Sequence, residues 1–168
     1  MTSSVNCRQT PTPAEHYGPL MAALADVAEQ SFFACVDPCD AASFEERAAG
    51  VDNWLRVSVG FQGAFAGLFS CTLPEPLAAE LFDSFLGQAD ESARNETLVF
   101  DLVGEFGNMI CGTWLTRTAE RRRFALHRPE VRRVPPPVVT TGAEGGQELL
   151  CLNDRPLAVG LVFVPWQG

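Results

Sequence analysis

The sequence predicts an α/β domain of the α+β type, with long helices packed on a largely antiparallel β-sheet. Three observations lead there. Apolar residues recur at helical spacing in three stretches, about residues 19–36, 74–87 and 92–121. Between the first two, WLRVSVGFQGAFAGLFSCTL alternates in the manner of a hairpin. Beyond the third, short β-branched or alternating runs follow one another, separated by turn residues. The order α, ββ, α, α, ββββ places helices against a sheet. With 168 residues, 46% of them hydrophobic, and no internal repeat, the chain has material for one core.

Each element has its own signal. Residues 1–13 form a polar segment with Pro11 and Pro13 and read as a disordered tail, leaving 14–168 as a single domain. LMAALADVAEQSFFACV after Pro19 is an amphipathic helix that Asp37-Pro38 should end near Val36. AASFEERAAG fits either a loop or a short irregular strand. The hairpin divides into Trp54–Gly60 and Ala64–Leu73, with a turn near Gln62-Gly63. Pro74-Glu75-Pro76 opens a helix, proline being suited to a first turn, and Gly87 is placed to cap its end. A long helix follows over about Ser92–Arg121. Strands are expected in RRFALHR, VPPPVVTTG, QELLCLND and PLAVGLVFVP.

Composition narrows the function. The net charge is -9, and an acidic chain of this kind disfavours nucleic acid and anionic membranes. There is no lysine, so Schiff-base chemistry and a P-loop are excluded. The six cysteines show no CxxC, and His16 and His127 are far apart, so no metal site of the chain's own is expected. Neither a signal-peptide pattern nor a membrane-length apolar run is visible, and the chain reads as cytoplasmic with reduced thiols. Cys111 is expected to be a buried thiol. Gly60, Gly63 and Gly67 fit a tight hairpin rather than a dinucleotide fingerprint.

The long helix contains the unusual stretch DLVGEFGNMICG, with three glycines in nine residues. Each costs about 1 kcal/mol relative to alanine in a helix interior. At about 100° per residue, Leu98, Val99, Leu102, Val103, Phe106, Met109, Ile110 and Trp114 share one arc of about 160° as the core face. Asp101, Glu105, Asn108 and Gly112 fall on a narrow stripe opposite, flanked by Gly104 and Cys111. A solvated face would account for the acids. The glycines suggest close approach of something to the helix backbone, with Gly107, at the edge, serving helix–sheet packing instead. No base or histidine lies nearby to build a nucleophilic triad. An amide can orient an attacking water, a role that phosphoryl transfer uses, and a carboxylate beside it can pair with a cation.

Asp101-x3-Glu105-x2-Asn108 resembles the signature of the CheC/CheX/FliY chemotaxis phosphatases. GEFGNMICG is similar to that family's helix, PPPVVTTG to its following strand, and SVGFQGAFAGLFSCTLPEPLAAELFDSFLG to its hairpin and helix. The similarity spans about residues 20–165, and a single copy of the signature favours the CheX type. The resemblance implies a CheC/CheX-like fold and a phosphatase acting on the phospho-aspartate of a CheY-like response-regulator receiver. Asn108 would orient the attacking water and Glu105 would pair with a receiver lysine. Asp101, Gly104 and Gly112 would help dock the partner, and Mg²⁺ would be supplied by the receiver. Where the family carries a proline beyond the Asn, this chain has Val131.

Residues 117–133 hold seven of the 12 arginines, which suit either a solvated helix end and strand or a patch for an acidic receiver surface. PLAVGLVFV is long and uncharged, so it should be central or paired across an interface, and a homodimer through the sheet is expected. Two other functions remain open: a non-catalytic module that docks a receiver or flagellar-switch component, and a small-molecule sensor.

Overall fold

One sheet of seven strands, every pair antiparallel, runs in the order β1-β6-β7-β3-β2-β4, with β5 also paired to β2. The structure is a computed structural model that describes residues 10–87, 95–118, 123–139 and 146–165. In chain order the elements are α1 (Pro13–Phe32), β1 (Val36–Pro38), α2 (Ala41–Ala48), β2 (Trp54–Gln62), β3 (Ala66–Pro74), α3 (Glu75–Leu86), α4 (Glu96–Thr118), β4 (Ala125–Leu126), β5 (Glu130–Val134), β6 (Gln147–Leu152) and β7 (Arg155–Val164).

The two faces of the sheet are unequal. Leu55, Val57, Val59 and Phe61 of β2, with Phe69, Cys71 and Leu73 of β3 and Leu157, Val159 and Leu161 of β7, are buried beneath α1, α3 and α4. The alternate residues point the other way. There the short α2 covers one end, its Phe44 stacking on Trp54 and packing with Ala158. At full burial each such aliphatic or aromatic side chain contributes about 1.5–3 kcal/mol, so the main core lies between the sheet and the three long helices.

The hairpin β2–β3 and helix α3 follow the sequence reading, and Gly87 caps α3 with φ of 69°. The β6–β7 turn carries Asn153 and Asp154 at φ of 48° and 63°, the left-handed pair that a two-residue hairpin requires. Four expectations need correction. Helix α1 begins at Pro13 rather than Pro19, because Tyr17 anchors its first turns: the hydroxyl donates to the Gly146 carbonyl and accepts from the Leu161 amide at 3.2 Å. The same helix stops at Phe32, and Val36–Pro38 pairs with β6 instead.

Residues 41–48, expected as loop or strand, form α2, which Asp40 caps by accepting from the Ser43 amide at 2.7 Å. The strand placed on the proline run lies earlier, at Glu130–Val134, since prolines 135–137 have no N–H to offer a ladder. The tail 1–9, the ends of the expected helix at 92–94 and 119–121, and the expected strand residues 140–142 lie outside the described residues. Strand β7 is central, between β3 and β6. The edges are the three-residue β1 on one side and β4 and β5 on the other, all short. Among the described residues no helix is long and apolar enough to cross a membrane.

Candidate functional site

Helix α4 is fixed along its length before it presents anything to solvent. Asn95 accepts from the Thr97 amide at 2.9 Å at its start. Arg133 of β5 reaches Glu96 at 2.8 Å and Glu75 of α3 at 2.7 Å, and its guanidinium lies 5.2 Å from the Phe100 ring. These two carboxylates hold the Arg133 guanidinium above its usual range. Near the other end Arg117 pairs with Asp26 of α1, and Trp114 is buried edge-on to Phe61 at 5.3 Å. A helix held at both ends and pressed on the sheet is a rigid support for side chains on its outer face.

The core face agrees with the helical periodicity at Leu102, Val103, Phe106, Ile110 and Trp114, all buried. Val99 and Met109 are half-buried, and Leu98, expected on the core face, is 49% exposed. On the opposite side Asp101 and Glu105 are exposed and Asn108 is half-buried. Steps of four and three residues put these three on one line. None of the three side chains hydrogen-bonds or ion-pairs with any of the described residues. The line is therefore polar, and its side chains are without polar partners among the described residues.

The glycines are explained by the chain's own packing, at Gly107 as the sequence suggested. A Cβ on Gly107 would stand 2.6 and 2.8 Å from the two Val57 methyls, so glycine there is required by helix–sheet contact. Gly104 is buried, and its small size admits Pro129 and Val131, whose side-chain carbons lie 3.5 and 3.6 Å from where a Cβ would stand. Gly112 is half-buried and faces Leu126, 3.6 Å from the corresponding point. The segment from β4 to β5 therefore runs along the Gly104–Asn108–Gly112 row. What closely approaches the helix at Gly104 is the chain itself.

Cys111, beside this row, is buried, and burial pushes its thiol up to about 12. A shallow cavity of about 130 Å³ lies between Gly112, Leu115, Thr116, Phe124 and Leu126. A larger recess of about 790 Å³ opens at the β1 edge between Met21, Val36, Cys39 and Leu149, and no stripe residue lines it. Among the described residues no three His, Cys, Asp or Glu side chains converge as a metal site. What the α4 line offers chemically is one amide, able to donate and accept at once, beside two carboxylates that are unpaired among the described residues. Sequence reasoning did not find Leu126 and Pro129 as walls of this site, since their contacts with α4 are long-range and carry no local signal.

A family model described as "Chemotaxis phosphatase CheX" matches residues 56–145, over half of the chain and including the whole α4 line. No curated protein matches significantly. Solved structures with a similar fold include a chemotaxis protein CheX from Vibrio vulnificus, at 24% identity and TM-score 0.67, covering 92% of this chain and 100% of that one. A putative chemotaxis protein from Desulfovibrio vulgaris Hildenborough has 20% identity and TM-score 0.66, with 89% and 97% covered. The CheX of a CheX–CheY–BeF3–Mg²⁺ complex from Borrelia burgdorferi has 13% identity and TM-score 0.59, with 89% and 98% covered.

Proposed function

The chain belongs to the chemotaxis phosphatase CheX family, and from that premise we propose that it hydrolyses the phospho-aspartate of a CheY-like response-regulator receiver. The observation that carries this reading is the open line of Asp101, Glu105 and Asn108 on a helix fixed at both ends. Asn108 enters the receiver's site and its carboxamide holds a water in line with the acyl phosphate. The water oxygen bonds to phosphorus, the bond to the aspartyl oxygen breaks, and inorganic phosphate and free aspartate result. Catalysis of this kind rests on position and electrostatics rather than on a covalent enzyme intermediate. Glu105 pairs with a cation of the receiver, a lysine, which fixes the register, while Asp101 and Gly112 lie at the margins of the contact. The Mg²⁺ is the receiver's, in keeping with the Mg²⁺ named in the Borrelia complex.

A docking module without catalysis is the second reading. The amide at position 108 favours the enzyme, since binding alone has no need of a water-orienting group. The test is the decay of a phosphorylated CheY-like receiver with Mg²⁺ present. Wild type should accelerate it, and Asn108→Ala should lose roughly 10²–10³-fold in rate while binding the receiver nearly as well, as expected for an interaction made in the transition state. Equal rates for the two proteins would refute the assignment of Asn108.

The setting proposed with this activity is the cytoplasm, and the assembly a homodimer through the sheet. Support for the dimer comes from the face turned away from the three long helices. Leu68, Val162 and Val164 are 43%, 58% and 45% exposed there, with Leu68 opposite Val162 and Ala66 opposite Val164 in register. A clustered apolar surface of this kind marks a contact site, and using it leaves both copies of the α4 line accessible. Light scattering across a concentration series should give twice 18.2 kDa. A mass that stays at the monomer value would exclude the dimer.

A further inference from the structure

Of the arginines between 117 and 133, the structure gives partners to three: Arg117 to Asp26, Arg132 to Glu130 at 2.6 Å, and Arg133 to Glu75 and Glu96. Arg123 and Arg128 are exposed and pair with none of the described residues, and Arg128 stands between Leu126 and Pro129, which cover α4. The backbone position of Arg128 is unusual too. The ladder to β2 pairs Phe61 with Leu126 and Ser58 with Glu130, and the His127 amide donates to the Gly60 carbonyl at 2.8 Å. Two residues, Arg128 and Pro129, are thus left opposite Val59 alone. That is a β-bulge, a device that re-aims side chains and gathers near functional sites.

The bulge lies against α4. Pro129 packs on Gly104 and Leu126 on Gly112, one on each side of Asn108 in the same helical row. Gly104 and Gly112 are about 12 Å apart along the helix axis. Leu126 to Pro129 can span at most about 10 Å, so the segment runs beside this row and Arg128 falls within it, next to Asn108. The site thereby has acid on one flank, Asp101 and Glu105, and the backbone of Arg128 on the other.

We propose that Arg128 is a docking residue that binds the anionic group a receiver brings to Asn108, its phosphoryl oxygens or the carboxylates around them. The inference rests on the receiver reading above. Its physical ground is the charge balance of the site: an acyl phosphate approaching Asn108 meets the field of two unpaired carboxylates in a chain of net charge -9, and a cation on the opposite flank offsets it. A guanidinium suits this task because its planar fork can bind two oxygens at once. It also assigns a purpose to the bulge, which holds Arg128 beside α4 while its neighbours Arg132 and Arg133 are engaged with carboxylates of the chain.

The test compares wild type, Arg128→Ala, Arg128→Glu, Arg128→Lys and Arg132→Ala as full chains, after thermal melts confirm that each folds. Affinity is measured by calorimetry for a CheY-like receiver with and without beryllofluoride, and turnover at saturating phosphorylated receiver is measured beside it. Arg128→Ala should weaken binding roughly tenfold, the scale of a lost charged hydrogen bond. Arg128→Glu should weaken it further, Arg128→Lys should recover part, and the loss should shrink as salt rises. Turnover at saturation should fall less than affinity, and Arg132→Ala should match wild type. A loss confined to the beryllofluoride form assigns the contact to the phosphoryl group, and an equal loss in both forms assigns it to receiver carboxylates. If wild type binds and turns over while Arg128→Ala does the same, the inference is overturned and the receiver reading stands. If wild type neither binds nor dephosphorylates the receiver, both fall together. An equal loss in Arg132→Ala would also overturn it, since the effect would then be one of net charge.

Discussion

Gly104, Asn108 and Gly112 follow one another in a single row of α4, and Asp101 and Glu105 stand in the row beside it. The first row is walled on one side by Leu126 and Pro129 of the same chain, and Gly107 behind it is pressed on Val57. The side chains of the second row form no hydrogen bond or ion pair with any of the described residues. Small residues and polar residues look alike in a helical projection, both being unsuited to a core. Here the small ones are explained by the chain's own packing, while the polar ones form no hydrogen bond or ion pair among the described residues and are those the proposed function uses.

The strongest way to probe this contrast is Glu105→Ala. An exposed, unpaired carboxylate contributes little to folding, so the melting temperature should not move. On the proposed function the same change removes the partner of a receiver cation at the interface and should weaken docking by about 2–5 kcal/mol, the cost of leaving one charge of a buried pair unmatched. Calorimetry against a beryllofluoride-activated receiver reads this directly, and an unchanged affinity would remove Glu105 from the contact.

Gly107→Ala should show the reverse profile. The new methyl collides with the stiff, β-branched Val57, and overpacking of this sort costs about 1–3 kcal/mol, offset in part by the roughly 1 kcal/mol that alanine adds to a helix. Stability in urea should therefore fall, and Val57→Ala in the same chain should recover more than the two single changes imply. A Gly107→Ala protein as stable as wild type would show that the contact is loose.

Gly104→Ala and Gly112→Ala should have the smallest effects. Their added carbons would sit at 3.5–3.7 Å and 3.6 Å from the covering side chains, which is ordinary contact, so stability should hold or rise by up to about 1 kcal/mol. Receiver affinity should be unchanged for Gly104→Ala, which is buried. A weakened affinity for Gly112→Ala at unchanged stability would extend the docking line to the end of the stripe.

The sequence by itself determined the helices α3 and α4, the β2–β3 hairpin and the line Asp101–Glu105–Asn108. Each follows from short-range rules: proline at a helix start, glycine at its end, alternation in a strand, and the 3.6-residue repeat that fixes which side chains share a face. Tertiary structure alone decided the rest. Helix α2 is only eight residues long, and Phe44 commits to it by burial against Trp54 and Ala158. The first turns of α1 are held by Tyr17, which reaches Gly146 at the start of β6 and Leu161 in β7. The purpose of Gly104 and the bulge at Arg128-Pro129 depend on where β2 and the β4–β5 segment lie against α4. Contacts between residues far apart along the chain leave no periodicity to read, so the polar line was legible while the walls around it were not.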